Sequence, residues 1–99
     1  MADKPVIVYG RFKAKPGKED ELRQSLINLI APTRQEAGCI SYEMHQQPQD
    51  AAQFMSYEIW RSQADIDQHM QTPYVAAVVA RAEEMIELPF ELSIWEKLD

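Results

Sequence analysis

The 99-residue sequence predicts a single α+β domain with the element order β-α-β-β-α-β. Three observations carry that expectation. A β-branched and aromatic run, VIVYGRFK, begins at Val6. Two more extended runs flank the turn residues Pro48-Gln49-Asp50. Between and after them, apolar residues recur at helical rather than strand spacing, from Leu22 and again from Tyr74. A chain of this length has one core, because it buries only about two-thirds of the surface its unfolded form exposes.

In chain order, Val6 to Lys13 is the first strand, with Val6, Val8, Gly10 and Phe12 on one face. Gly10 stands inside it. A strand glycine marks a bulge or a place where another group comes close to the backbone. Lys15-Pro16-Gly17 ends the strand, and Leu22, Leu26, Leu29, Ile30 and Thr33 line one side of a long helix starting at Lys18. Pro32 lies within that helix and removes a backbone donor, which predicts a kink or an altered last turn near Ile30 to Thr33. Gly38 is expected to close it as the C′ residue.

Cys39 to Gln47 and Gln53 to Trp60 read as an antiparallel hairpin. On the second of these strands Phe54, Ser56, Glu58 and Trp60 face one way and Met55, Tyr57 and Ile59 the other. Both faces carry large apolar groups, which predicts that the second face packs on another subunit, sheet to sheet in a homodimer. Ser62-Gln63-Ala64-Asp65 has the form of a capping box and opens a short helix through Met70. Thr72-Pro73 restarts the helix, Tyr74, Val75, Val78, Val79, Ala82 and Ile86 continue it, and Leu88-Pro89 stops it. Phe90 to Leu98 is the last strand. The order is that of the ferredoxin-like split unit, a four-stranded antiparallel sheet with helices on one face.

Composition narrows the function classes. At 45% hydrophobic and 26% charged the chain is in the globular range. A net charge of -6 with scattered Lys and Arg disfavours nucleic acid as a partner. No run reaches the roughly 18 apolar residues of a membrane helix or forms a secretory core, so the expected location is cytoplasmic, away from membranes. The lone Cys39 fits a reducing compartment. With no cysteine cluster, no His pair at i, i+4 and no Gly-rich nucleotide loop, no metal, flavin or haem is expected.

Chemistry-bearing residues gather around the second hairpin strand. Glu58 and Trp60 project together, towards whatever the helix carrying His69 lays over them. A carboxylate, an indole and an imidazole are therefore candidates for one pocket. Each also has a purely structural reading: Trp60 as core, Glu58 paired with a helix residue such as Arg81 or bonded to a backbone group, His69 as a packing residue.

Several segments resemble one family: the strand, turn and helix opening from Arg11 to Gly17, Ala31-Pro32-Thr33-Arg34, Glu36-Ala37-Gly38-Cys39, Tyr42-Glu43, Glu58-Ile59-Trp60, and Asp67 to Pro73. The chain is similar to the antibiotic biosynthesis monooxygenase domains of the dimeric α/β barrel superfamily, which include quinol monooxygenase-like proteins. The resemblance implies a homodimer with facing sheets and a small-molecule pocket between sheet and helices. It further implies oxidation of an aromatic or quinol-type compound by O₂ without a bound cofactor. In that setting His69 is the candidate base, Glu58 its orienter, Trp60 and Phe54 flat walls, Tyr74 a hydroxyl at the mouth, and Gly10 a close-approach point for substrate. Many relatives carry a second histidine where this chain has Tyr74, whose hydroxyl suits hydrogen bonding rather than proton abstraction. Two other functions remain open: a dimeric small-molecule binder without turnover, and an isomerase-type relative acting on a phosphorylated, autoinducer-2-like ligand, for which Arg11 and Arg61 are the available phosphate partners.

Overall fold

A computed structural model describes residues 4–99. It contains β1 (Val6–Lys13), α1 (Glu19–Arg34), β2 (Cys39–Gln46), β3 (Gln53–Trp60), α2 (Gln63–Met70), α3 (Pro73–Met85) and β4 (Glu91–Glu96). The four strands form one sheet in the order β2-β3-β1-β4, with every neighbouring pair antiparallel. The expected α+β architecture is therefore present, with its second helical segment divided at Thr72-Pro73 as the sequence predicts.

Register fixes which residues share the helix-covered face. Val8 lies opposite Glu58, Gly10 opposite Ser56 and Phe12 opposite Phe54. Tyr42 and Met44 continue these rows on β2, and Ile94 and Leu92 on β4. Helix α1 sends Leu22, Leu26, Leu29 and Thr33 into the core from one stripe. Trp60, Leu22 and Met85 are fully buried at its centre. The rows end wet at β4, where Leu92 and Ile94 remain 47% and 55% exposed because the helices do not reach over that edge strand. The opposite face carries Tyr57 and Trp95, 37% and 57% exposed, beside half-buried Ile7, Met55 and Ile59. Among the described residues no helix is long and apolar enough to cross a membrane.

Three local expectations need correction. Gly38 is not the C′ residue of α1, which ends at Arg34 with Gln35 as its cap, and the one glycine with positive φ is Gly17, at 82° in the Lys15-Pro16-Gly17 turn. Gly38 is required for a different reason: a Cβ there would lie 2.1 Å from Asp65 Cγ, so the loop after α1 passes directly beneath the first turn of α2. Gly10 is not at a bulge, since its pairing with Ser56 and Leu92 is in register; the irregularity lies in β2, between Cys39 and Ser41. The last strand begins at Glu91 rather than Phe90, whose ring instead packs 5.5 Å from that of Phe12.

Pro32 is accommodated within α1, which stays helical through Arg34, and the tightening comes after it. The Gln35 and Glu36 N–H groups donate to the carbonyls of Pro32 and Thr33, at 3.2 and 3.0 Å, so the chain leaves the helix through tightened three-residue turns. That exit delivers Glu36 towards α2.

Candidate active site

The site is assembled at the start and end of α2. Ser62 caps the helix, its Oγ accepting from Asp65 N–H at 3.3 Å and donating to Asp65 Oδ2 at 2.7 Å. Arg61 donates two 2.9 Å bonds to the same carboxylate and holds the Asp65 carboxyl below its usual range. Arg61 N–H also donates to Gly38 C=O at 2.8 Å, which pins the Glu36-bearing loop against the helix that carries His69. At the far end, the Thr72 hydroxyl donates to His69 C=O at 2.8 Å and accepts from Val75 N–H at 3.4 Å, joining α2 to α3 and setting Tyr74 beside His69.

Within this frame His69, only 5% exposed, directs Nδ1 at Glu36 Oε2, 2.8 Å away. The Tyr74 hydroxyl donates to the same oxygen. A carboxylate accepts, so the arrangement places a proton on Nδ1, and Nε2 makes no hydrogen bond to the protein. Burial and the Glu36 carboxylate push the Tyr74 phenol up to about 12, which keeps it a hydrogen-bond donor at neutral pH. The imidazole stacks obliquely on Trp60, ring centres 4.7 Å apart, and meets Tyr42 edge-on at 5.7 Å.

Glu58 is not the orienter of His69. Its Oε1 accepts the Trp60 indole N–H at 2.9 Å, because both side chains project from one face of β3 two residues apart and the indole edge meets the carboxylate before the imidazole does. It makes no hydrogen bond to His69, and the two groups interact only through charge. Arg81, the helix residue weighed as a partner of Glu58, instead bonds Glu21 at 2.6 Å.

A cavity of about 110 Å³ lies between this cluster and the sheet. His69 and Glu58 line it, with Tyr42 and Ser56 the other polar contributors; Phe12, Leu26, Val75, Val78, Ala82 and Leu92 are among its apolar walls. Trp60, Phe54, Tyr74 and Gly10 do not line it. Trp60 and Phe54 are core, at 0% and 4% exposure. Tyr74 serves Glu36 rather than the cavity mouth. Gly10 makes room within the sheet, since a Cβ there would sit 2.6 Å from Ser56 Oγ and 2.8 Å from Phe12 Cζ. Sequence reasoning missed Glu36 and Ser56. The one available signal for Glu36 was its place in the run Glu36-Ala37-Gly38-Cys39, to which no chemistry attached.

Burial raises the Glu58 carboxyl above its usual range, opposed by the Trp60 N–H, by the nearby Ser56 hydroxyl and by His69 on α2, while Glu36 adds to the rise. A carboxyl whose folded value is raised binds more protons in the folded state than in the unfolded one. Stability therefore falls as pH rises from about 4.5 through the folded value. Glu58→Gln keeps an acceptor for Trp60 and removes that loss. Its melting temperature should exceed that of the wild type by a few degrees at pH 7, with the gap closing on acidification below about 4.5. A variant that melts lower at pH 7 would show that the ionised carboxylate stabilises the fold.

Fold and site together define a small α+β domain that presents a buried, carboxylate-held histidine to a mainly apolar cavity. Residues 5–81 match the antibiotic biosynthesis monooxygenase family, and the chain belongs to it. It is similar to Mycobacterium tuberculosis Rv0793, named a putative monooxygenase, with 32% identity across 96% of this chain and 93% of that protein. The solved structure of Rv0793 superimposes with a TM-score of 0.89, at 30% identity and 96% coverage of each chain. The crystal structure of PA3566 from Pseudomonas aeruginosa gives a TM-score of 0.93 at 27% identity, covering 100% of this chain and 99% of that one. An uncharacterized Synechocystis protein, sll1783, is 36% identical over 96% of this chain, which spans 65% of its length.

Proposed function

We propose that this protein is a monooxygenase that acts, without a bound cofactor, on a small phenolic or quinol-type compound. The observation that carries the reading is the state of His69: Nδ1 is committed to Glu36, so Nε2 is the unengaged nitrogen of a ring on the cavity wall. In this reading Nε2 takes the phenolic proton, Glu36 stabilises the imidazolium so formed, and the phenolate, more electron-rich than the phenol, passes an electron to O₂. One oxygen atom enters the substrate, which gives up two hydrogens, and the other leaves as water. The family assignment and the names of its relatives support the same class of reaction.

At about 110 Å³ the cavity is smaller than the engineered apolar cavities of about 150 Å³ that admit benzene, so it disfavours polycyclic compounds and a single ring has to widen it on entry. The phosphorylated-ligand alternative is less well served. Arg61 is spent on Asp65, and Arg11 bonds Gln53 on the sheet face away from the helices. Oxygen uptake on adding hydroquinone or a methylated hydroquinone tests the reading, with a colourless, metal-free preparation as the starting material. Saturable binding without uptake would make the protein a binder instead. A cytoplasmic location accords with the lone cysteine.

The open sheet face completes the proposal. Half-buried Ile7, Met55 and Ile59 beside exposed Tyr57 and Trp95 give this face an apolar character, and a second copy packed sheet to sheet would cover it. Light scattering should return about twice 11.4 kDa at micromolar concentration; a monomer mass would remove the dimer.

A further inference from the structure

Among the polar groups on the cavity wall that the proposed reaction does not use, the Ser56 hydroxyl stands apart. Ser56 is 0% exposed and lines the cavity, and its Oγ has no hydrogen-bond partner among the described residues. Buried hydroxyls are nearly always partnered, and leaving one unpaired is costly. The other such atom, Thr33 Oγ1, belongs to α1 and is not on the cavity wall. The sheet explains why Ser56 has no partner in good geometry: its neighbours across the ladder, Gly10 on β1 and Met44 on β2, bring no polar side chain, and the nearby Glu58 carboxylate on its own strand already accepts from the Trp60 indole. The absence of a side chain at Gly10 also leaves the serine hydroxyl undisturbed, because a Cβ there would stand 2.6 Å from Oγ.

We propose that Ser56 is a specificity-determining residue that hydrogen-bonds a second oxygen of the substrate while the first lies at His69. The proposal rests on reading the cavity as the substrate site. Ser56 and Glu58 rise from the same face of β3 two residues apart, a spacing of roughly 7 Å along the strand. Ser56 on β3 and His69 on α2 reach the same cavity from the sheet and from the helix layer, so one small ligand can meet both. A ring with oxygens at both ends satisfies Ser56 as well as His69, whereas a monophenol leaves the serine hydroxyl buried and unpaired. Sites built to bond a hydroxyl reject ligands that lack it far more strongly than they reject a missing methylene.

The test is equilibrium binding of hydroquinone and of phenol to wild type and Ser56→Ala under strictly anaerobic conditions, with melting temperatures of both proteins. The wild type should bind hydroquinone on the order of tenfold more tightly than phenol, and Ser56→Ala should lose that preference. The variant should melt at or above the wild-type temperature, because it removes an unpaired buried hydroxyl. Equal wild-type affinities, a preference that survives in Ser56→Ala, no binding of either compound, or a destabilised variant would each overturn the assignment. Because oxygen is absent, the outcome is separable from that of the oxygenase reading: the preference can hold in a protein that never turns over, and turnover without the preference removes Ser56 from the account.

Discussion

Replacing His69 with alanine is expected to lower turnover on the order of 100-fold or more, the range for loss of a general base. The residue is 5% exposed and packs on Trp60, so the alanine variant also leaves a void beneath α2. His69→Gln separates the two effects. Glutamine fills much of the same space, and its amide N–H can still donate to Glu36, but it cannot take up a proton. Comparable loss of turnover in both variants, with the glutamine variant melting near the wild type, identifies proton abstraction as the missing step. Normal turnover in folded His69→Gln would make the histidine a packing residue.

The second large effect is expected at Glu36. Glu36→Gln removes the charge that stabilises an imidazolium and leaves an amide to meet two donors, the His69 Nδ1–H and the Tyr74 hydroxyl, at one oxygen. Turnover should fall about 10- to 100-fold, the range seen when the carboxylate partner of an oriented histidine is lost. Tyr74→Phe should cost only a few-fold, because the carboxylate remains and loses one of its donors. Glu36 acts through His69 and not on substrate, so the sheltered Nδ1–H resonance of His69 in the proton NMR spectrum should weaken or vanish in Glu36→Gln while ligand binding persists. An unchanged resonance in a slow variant would detach Glu36 from the histidine.

These two residues mark where the sequence was and was not legible. Element types followed from periodicity, and the bounds Gln53 to Trp60 and the Ser62 and Thr72 caps emerged because strand alternation and capping are local. The placing of His69 and Glu58 on one cavity followed from the same alternation, with α2 crossing β3 at that level. The partner of His69 did not. Glu36 is 33 residues away in sequence, on a loop whose path depends on the tightened end of α1 and on the contact between Gly38 and Asp65. A glycine after a helix reads locally as a C′ residue, and nothing in the neighbouring sequence distinguishes that from a glycine demanded by a distant side chain. Glu58 was misassigned as orienter for a related reason: its indole partner lies two residues along the same strand and outcompetes a ring delivered from another element. Ser56 passed unremarked because a serine in an alternating strand is ordinary. Its significance lies in what its neighbours, Gly10 and Met44, fail to offer.

The central claim is that His69, held by Glu36, promotes transfer of one oxygen atom from O₂ into a small phenolic substrate. The most direct measurement is turnover of a hydroquinone under isotopically labelled O₂, with mass spectrometry of product and water, for wild type and His69→Gln. The account predicts one labelled oxygen in the product and the other in water, at a rate that collapses in the variant. Unlabelled product, or equal label incorporation by the variant, would contradict it.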